Sequence, residues 1–159
     1  MKFSASIEYA IHGLVYLTRA AAGKTTLVSE VATAINVPES YLRKVFQQLT
    51  RSGILNSQRG ARGGFILAQS ADSVTLKDIV EAIDGSLPVY KCMQRQRECT
   101  LDVDCPVQRE FGRAQQMMAG VLEQTSINDL AGELSENQKG VSWLKVNTDR
   151  WLEFAESQT

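Results

Sequence analysis

The spacing of apolar side chains in the first part of the chain predicts three short helices. Apolar positions recur every three or four residues over residues 3–22, 27–35 and 39–52. Thr26 is expected to cap the second helix, and Pro38 falls in the first turn of the third. A tight turn at residues 36–38 separates these two helices, and the third has polar and basic side chains on its outer side. This arrangement is typical of a helix-turn-helix motif.

A glycine-rich hairpin is expected directly after the third helix. Apolar runs at residues 54–55 and 65–67 flank a polar stretch that contains Gly60, Gly63 and Gly64. Glycine allows turn conformations that other residues resist, so the pattern predicts a two-stranded wing. Arg59 and Arg62 lie near its tip, where an arginine suits insertion into a narrow minor groove.

The rest of the chain is predicted to be helical around one irregular loop. Helical spacing covers residues 74–83, 106–123 and 127–134, with Gly85 after the first of these helices and Thr125 or Ser126 before the last. Residues 86–105 contain all the cysteines and are expected to form the loop. Apolar side chains between residues 141 and 154 predict that the C-terminal extension packs partly on the body. The predicted fold class is therefore mainly α with a small β-hairpin wing, a winged helix-turn-helix.

The charge distribution favours a nucleic-acid-binding part at the start of the chain. Residues 1–70 hold eight basic and three acidic residues, whereas residues 71–159 hold nine basic and fifteen acidic ones. The contrast indicates a DNA-binding half beside a second functional half, with ordinary surface variation as the alternative. Candidate groove or phosphate contacts are Ser40, Tyr41, Arg43, Lys44, Gln47 and Arg51 on the third helix, and Arg59 and Arg62 on the wing. Core packing is an equal alternative for Tyr41, and a helix-end charge is one for Arg51.

Membrane proteins, secreted proteins and enzymes are disfavoured by the sequence. Its apolar runs are too short to span a bilayer, and its first residues lack the apolar core of a signal peptide, so a cytoplasmic location is expected. The chain has no phosphate loop, nucleotide fingerprint, nucleophile elbow or zinc-protease motif. Enzymatic activity is therefore not expected.

The predicted loop contains three cysteines within a span of fourteen residues, namely Cys92, Cys99 and Cys105. An odd count without a secretion signal argues against a disulfide framework. Neighbouring thiolates are soft donors that favour an iron–sulfur cluster, zinc or cuprous copper. Spacing alone leaves the alternatives open, namely three unconnected thiols or a dithiol switch without metal.

The segment SYLRKVFQQLTRSGILNSQRGARGGFILA resembles the recognition helix and wing of the Rrf-two family of bacterial regulators. The opening MKFSASIEYAIHGLVYLTRAA and the stretch VTLKDIVEAIDG are also similar, so the resemblance covers roughly residues 1–125. This family includes the iron–sulfur regulators IscR, NsrR and RirA. The resemblance implies a homodimer paired through a long C-terminal dimerisation helix, bound to a palindromic double-stranded operator. We therefore divide the chain into a DNA-binding region (1–70), a cluster loop with the dimerisation helix (71–134) and a C-terminal extension (135–159).

The resemblance also implies an iron–sulfur cluster, 2Fe–2S or 4Fe–4S, on the three cysteines. IscR-like members have a histidine three positions after the last cysteine, where this chain has Gln108. NsrR-like members use a carboxylate near the N-terminus of the other subunit, and Glu8 matches that place. His12, the only histidine, lies one helical turn later. We rank Glu8 first as fourth ligand, His12 second, and water or a small thiol third; the alternatives are a solvated charge for Glu8 and a core residue for His12.

The sequence therefore predicts a transcriptional regulator, most readily a repressor, whose operator affinity responds to nitric oxide, iron or redox state through the cluster. The alternative is a metal-free winged-helix regulator that responds to thiol oxidation or to a partner protein through the same loop.

Overall fold

The computed structural model describes residues 3–20, 25–58, 60, 63–85 and 105–136. Within these ranges, two antiparallel strands, β1 (Leu55–Gln58) and β2 (Gly64–Leu67), accompany a set of helices. The helices are α1 (Ala5–Arg19), α2 (Val28–Ala34), α3 (Glu39–Arg51), α4 (Leu76–Asp84), α5 (Pro106–Glu123) and α6 (Ile127–Glu136). The predicted fold class, mainly helical with a β-hairpin wing, is confirmed. Of the loop predicted over residues 86–105, residues 86–104 lie outside the described residues, as do residues 141–154, which were predicted to pack partly on the body.

Helix α1 runs through the centre of the fold and packs against α3, α4 and α6. Its buried Leu14 meets the apolar face of α3, where Leu42, Phe46 and Leu49 have no exposed surface. The Phe46 ring packs directly on Gly13 of α1, where an added Cβ would lie 2.6 Å from Cε1 of Phe46. The apolar spacing that predicted α1 and α3 therefore forms the core, and it fixes which side of α3 faces outward.

The predicted cap of the second helix is wrong. Thr26 does not cap α2, which begins at Val28 with Leu27 in the cap position and no side-chain cap hydrogen bond. Instead, the Thr26 amide donates to the Phe65 carbonyl at 3.0 Å, and the Phe65 amide donates to the Thr26 carbonyl at 2.9 Å. Thr26 is buried, so its backbone groups need partners, and β2 supplies them. The start of the helix-turn-helix is thus joined to the wing.

Helices α4 and α6 begin side by side at a pair of matching caps. The Thr75 hydroxyl accepts from the Asp78 amide at 3.2 Å, and the Ser126 hydroxyl accepts from the Asp129 amide at 3.1 Å. Ser126, one of the two predicted caps of the last helix, and the predicted helix end at Gly85 are confirmed. The Leu76 amide donates to the Thr125 carbonyl at 3.0 Å, so α6 is tied to the start of α4. This junction returns the chain to the body after the long helix α5.

In the described part of the chain, no helix combines the length and the apolar character needed to cross a membrane.

Candidate nucleic-acid interface and metal-ligating residues

The outer face of α3 is open and rich in hydrogen-bond donors. Because Leu42, Val45, Phe46 and Leu49 turn inward, the opposite face is left to solvent. Most of the predicted DNA contacts on this helix are exposed there, namely Ser40, Arg43, Lys44, Gln47 and Arg51. A helix with one buried face and one basic outer face has the form needed to enter a major groove. Arg51 is also the last residue of α3, so the helix-end alternative stays open for it.

The side chain of Tyr41 on α3 contacts two residues of α1. Its ring is 39% exposed and meets Tyr9 edge to face, with 5.4 Å between ring centroids. Its hydroxyl lies 2.7 Å from the Ser6 hydroxyl and forms a hydrogen bond with it. Neither predicted role, DNA contact or core packing, anticipated this pair of contacts. Ser6 and Tyr9 were missed because their proximity to Tyr41 depends on how α1 crosses α3.

Arg43 forms an ion pair with Glu39, one helical turn earlier on α3. Glu39 is the only acidic residue of this helix, and sequence reasoning did not single it out as a functional residue. The signal was available, because an acidic residue four positions before an arginine on a helix favours such a pair.

Gly60 and Gly64 of the wing require glycine for different reasons. Gly60 has a φ of 119°, a conformation that other residues rarely adopt. Gly64 lies against the backbone of Thr26: an added Cβ would be 2.7 Å from the Thr26 carbonyl carbon and nearer still to its oxygen. The loop end of the hairpin is also held by the Thr25 hydroxyl, which donates to Oε1 of Gln58 at 2.7 Å.

The two wing arginines, Arg59 and Arg62, lie outside the described residues. Their predicted contacts with DNA therefore stay predictions.

Glu8 and His12 have opposite surroundings although they are one turn apart on α1. Glu8 is exposed, whereas His12 is only 8% exposed. Burial lowers the pKa of His12, and the nearby charge of Glu8 opposes this shift only in part. The lowered pKa keeps the His12 imidazole neutral at neutral pH. Glu8 is therefore the more exposed of the two candidate ligands.

The first turn of α1 is joined to the end of α4. The Ser4 amide donates to Oδ2 of Asp84 at 3.1 Å, and the Ser4 hydroxyl donates to Oδ1 at 2.6 Å. Asp84 is the last residue of α4 before Gly85 and the cysteine-containing segment. The helix that carries Glu8 is thus joined to the end of α4.

Cys105 occupies the cap position of α5 and is partly exposed. Its carbonyl accepts a hydrogen bond from the Arg109 amide at 3.0 Å. Cys92 and Cys99 lie outside the described residues. Among the histidine, cysteine, aspartate and glutamate side chains of the described ranges, no three come close enough to hold a metal. The predicted ligand set is therefore neither assembled nor contradicted.

Helix α5 exposes apolar side chains along its length. None of its residues is fully buried, and Met117 and Val121 are 70% and 66% exposed. Val107 and Phe111 continue this surface toward the start of the helix. The helix packs on α4 within its own chain, and Lys77 Nζ lies 3.2 Å from Glu123 Oε1. An apolar helix face of this kind is typical of a surface that is covered by another protein chain.

Comparisons with known proteins agree with this architecture. The chain is 30% identical over 132 residues to an HTH-type transcriptional regulator of Aquifex aeolicus, a match that covers 82% of this chain and 91% of that protein. Among solved structures it is similar to CymR (YrzC), the global cysteine regulator of B. subtilis, with a TM-score of 0.68 and 26% identity over 84% of this chain and 98% of CymR. It also shares its fold with T. potens IscR, with a TM-score of 0.68 and 21% identity over 90% and 95% of the two chains.

The family resemblance expected from the sequence is confirmed. The family model described as Rrf2, iron-dependent transcriptional regulator, matches residues 3–133. The chain belongs to the Rrf2 family of winged-helix transcriptional regulators.

Proposed function

We propose that this protein is a homodimeric repressor whose affinity for a palindromic operator is set by an iron–sulfur cluster on Cys92, Cys99 and Cys105. The observation that carries the proposal is the open basic face of α3 beside a wing that is hydrogen-bonded to the same unit. In this proposal residues 1–70 bind DNA, residues 71–134 hold the cluster and the dimer contact, and residues 135–159 pack on the body.

The rigid connection between α3 and the wing supports contact with two neighbouring grooves. The Thr26–Phe65 hydrogen bonds join the start of the helix-turn-helix to β2. The Ala68 amide donates to the Ile54 carbonyl at 3.0 Å and joins the end of β2 to the turn after α3. Helix α3 can then occupy the major groove while the wing arginines reach the adjacent minor groove.

The apolar face of α5 supports the homodimer. Val107, Phe111 and Val121 lie on one side of this helix, at the spacing of a continuous stripe. A second copy of the same stripe would cover it in a twofold arrangement, because a C2 interface uses the same patch of both subunits. A dimer with two equivalent DNA-reading units requires two equivalent half-sites, hence a palindromic operator.

The available donors fit an iron–sulfur cluster. Three thiols within fourteen residues supply the soft ligands that such clusters prefer, and one of them, Cys105, is partly exposed at the cap of α5. Glu8 is our choice as fourth ligand because its carboxylate is exposed, whereas His12 is buried. A cluster with one oxygen ligand would supply an iron that is open to nitric oxide, oxygen or removal.

Helix α1 connects the proposed ligand to the DNA-reading helix. Glu8 is followed by Tyr9, whose ring contacts Tyr41 of α3, and Ser6 binds the Tyr41 hydroxyl. The opposite side of the same turn is tied to α4 through Ser4. A displacement of this turn would therefore move Tyr41 and the start of α3, which supports control of DNA affinity from the Glu8 end of α1.

The ligand assignment is tested by anaerobic purification of the wild type, Glu8→Ala and His12→Ala. We expect a brown wild-type protein with iron and acid-labile sulfide, and a visible spectrum that shifts, with faster loss of iron, in Glu8→Ala. His12→Ala should keep the wild-type spectrum but unfold at lower temperature, since removing a buried side chain leaves a cavity. Unchanged spectra and iron retention in both variants would contradict the choice of an α1 side chain.

A colourless anaerobic wild-type protein would favour the second candidate, a metal-free regulator that responds to thiol oxidation or to a partner protein. The 26% identity to CymR, the global cysteine regulator of B. subtilis, favours this alternative. Thiol titration before and after mild oxidation would then take the place of the iron assay.

The wing assignment is tested by Arg59→Ala. We expect weaker operator binding and a slope of log K against log salt that is smaller by about 0.9, the value of one lost phosphate contact. Arg113→Ala is the matched control, because it removes the same charge from an exposed position on α5, outside the proposed DNA-binding region. Equal affinity of wild type and Arg59→Ala across the whole salt series would refute the assignment.

A further inference from the structure

We propose that Glu39 is a specificity-determining residue that acts with Arg43 on the DNA-reading face of α3. The inference rests on the proposed DNA-binding function and extends it to the way the helix distinguishes bases. In this proposal the Glu39 carboxylate orients the Arg43 guanidinium toward a base edge and opposes its use as a general phosphate contact.

The geometry of the pair places both groups where DNA would lie. Nη2 of Arg43 donates to Oε1 of Glu39, and the two side chains remain 52% and 44% exposed. Their nearest neighbours along the outer face are Ser40, Lys44 and Gln47, all exposed. Glu39 thus sets a single negative charge in a surface that otherwise offers donors and positive charge to a polyanion.

This position is unfavourable for DNA affinity in general. A carboxylate facing the phosphates is repelled by them, and it also holds an arginine that would otherwise neutralise a phosphate. The pair does favour the helix, because the acidic residue lies in the first turn and four residues before its cation. A role in helix stability alone, however, predicts the same loss of affinity for every DNA sequence when Glu39 is changed.

Base recognition predicts a different result. A guanidinium fixed on one side by a carboxylate presents its remaining N–H groups as a fork that matches O6 and N7 of guanine. The free oxygen of the carboxylate can accept a hydrogen bond from the cytosine N4 amino group. Glu39 and Arg43 together therefore fit a guanine or cytosine edge in the major groove, and the same carboxylate rejects DNA that offers only phosphate at this place.

The experiment selects binding sites from a randomised duplex pool with full-length wild type, Glu39→Gln, Arg43→Ala and Glu133→Gln. Affinity for the wild-type selected sequence and for a scrambled duplex is then measured over a salt series. Glu133→Gln is the matched control, since it removes the same charge from an exposed position on α6.

We expect Glu39→Gln to bind scrambled DNA roughly three- to tenfold more tightly and to steepen its salt slope by about 0.9, because Arg43 becomes free for one more phosphate. The ratio of selected to scrambled affinity should fall about tenfold, and at least one guanine or cytosine position should disappear from the selected sequence. Arg43→Ala should lose the same position, whereas Glu133→Gln should match the wild type.

A variant with a shorter carboxylate separates charge from geometry. Glu39→Asp keeps the negative charge in the first turn but its carboxylate is too short to orient Arg43 in the same way. We expect it to lose the same base position as Glu39→Gln, while its affinity for scrambled DNA rises less than that of Glu39→Gln because the remaining carboxylate still repels the phosphates.

The inference is overturned if Glu39→Gln changes both affinities by one common factor, or if its selected sequence equals that of the wild type. It is also overturned if Arg43→Ala and Glu39→Gln lose different positions. A wild-type protein that enriches no sequence at all would refute the proposed DNA-binding function itself, which distinguishes that failure from failure of the Glu39 role.

Discussion

Gly64→Ala is expected to weaken specific operator binding strongly while the helical core stays folded. A Cβ at this position would be 2.7 Å from the Thr26 carbonyl carbon and 2.9 Å from Cγ2 of Thr25. Backbone atoms cannot rotate away as a flexible side chain can, so the two hydrogen bonds between Thr26 and Phe65 must lengthen or break. The wing would then leave its place beside α3, and its arginines would lose their position relative to the groove.

The expected loss is large because the wing contacts fail together. Each lost base contact is worth about 1–3 kcal/mol, so operator affinity should fall by at least roughly tenfold, and unfolding stability by about 1–3 kcal/mol. Fluorescence anisotropy with labelled operator and thermal unfolding measure the two effects.

Gly132→Ala is the matched control for the same chemical change. Gly132 is exposed on α6, and an added Cβ there would meet nothing within 4 Å beyond its chain neighbours and the backbone of its own helix. This variant should bind the operator like the wild type and unfold at a slightly higher temperature, because alanine favours a helix over glycine by up to about 1 kcal/mol. Wild-type affinity and stability in Gly64→Ala would show that the wing does not depend on its contact with Thr26.

The helices of this fold were predictable because their ends are set by residues close in sequence. Pro106 begins α5, the Thr75 hydroxyl and the Asp78 amide begin α4, and Gly85 ends it with a φ of 78°. The Thr26 cap was wrong for the opposite reason. A threonine before an apolar run suits a cap, but its actual partner, Phe65, lies far along the chain and becomes a neighbour only when the wing folds back.

The candidate site also has one part that was predictable from local sequence and one part that was not. Periodicity alone identified which face of α3 points outward, since burial of Phe46 and Leu49 determines the exposure of Lys44 and Gln47. The partners of residues on that face were not predictable in the same manner. The contact of Tyr41 with Ser6 depends on the crossing of α1 and α3, which no spacing rule supplies. The role of the cysteines rests on resemblance, because their loop offers no periodic pattern from which a geometry follows.

Val121→Glu is expected to convert the protein from a dimer to a monomer and to remove tight operator binding. Val121 is 66% exposed in the single chain, so a glutamate there leaves the fold of one subunit unchanged. In a paired α5 interface the same side chain would be buried, and a twofold axis would place the change in both subunits. Burial of a valine side chain stabilises an interface by about 1.5–3 kcal/mol. Val121→Glu loses this stabilisation and in addition buries an unpaired carboxylate, which destabilises the dimer further.

Gln116→Glu is the matched control for the charge that Val121→Glu adds. It adds the same charge to an exposed position on the opposite side of α5, so general repulsion between acidic subunits would affect both variants alike. We expect sedimentation velocity to give a dimer for the wild type and Gln116→Glu, a monomer for Val121→Glu, and similar thermal unfolding of the individual subunits. Operator binding should weaken in Val121→Glu alone, because two half-sites held by separate chains lose the gain in effective concentration that a dimer provides. A dimeric Val121→Glu with an unchanged dissociation constant would place the subunit contact on another surface, and the apolar side chains of α5 would then need a different partner.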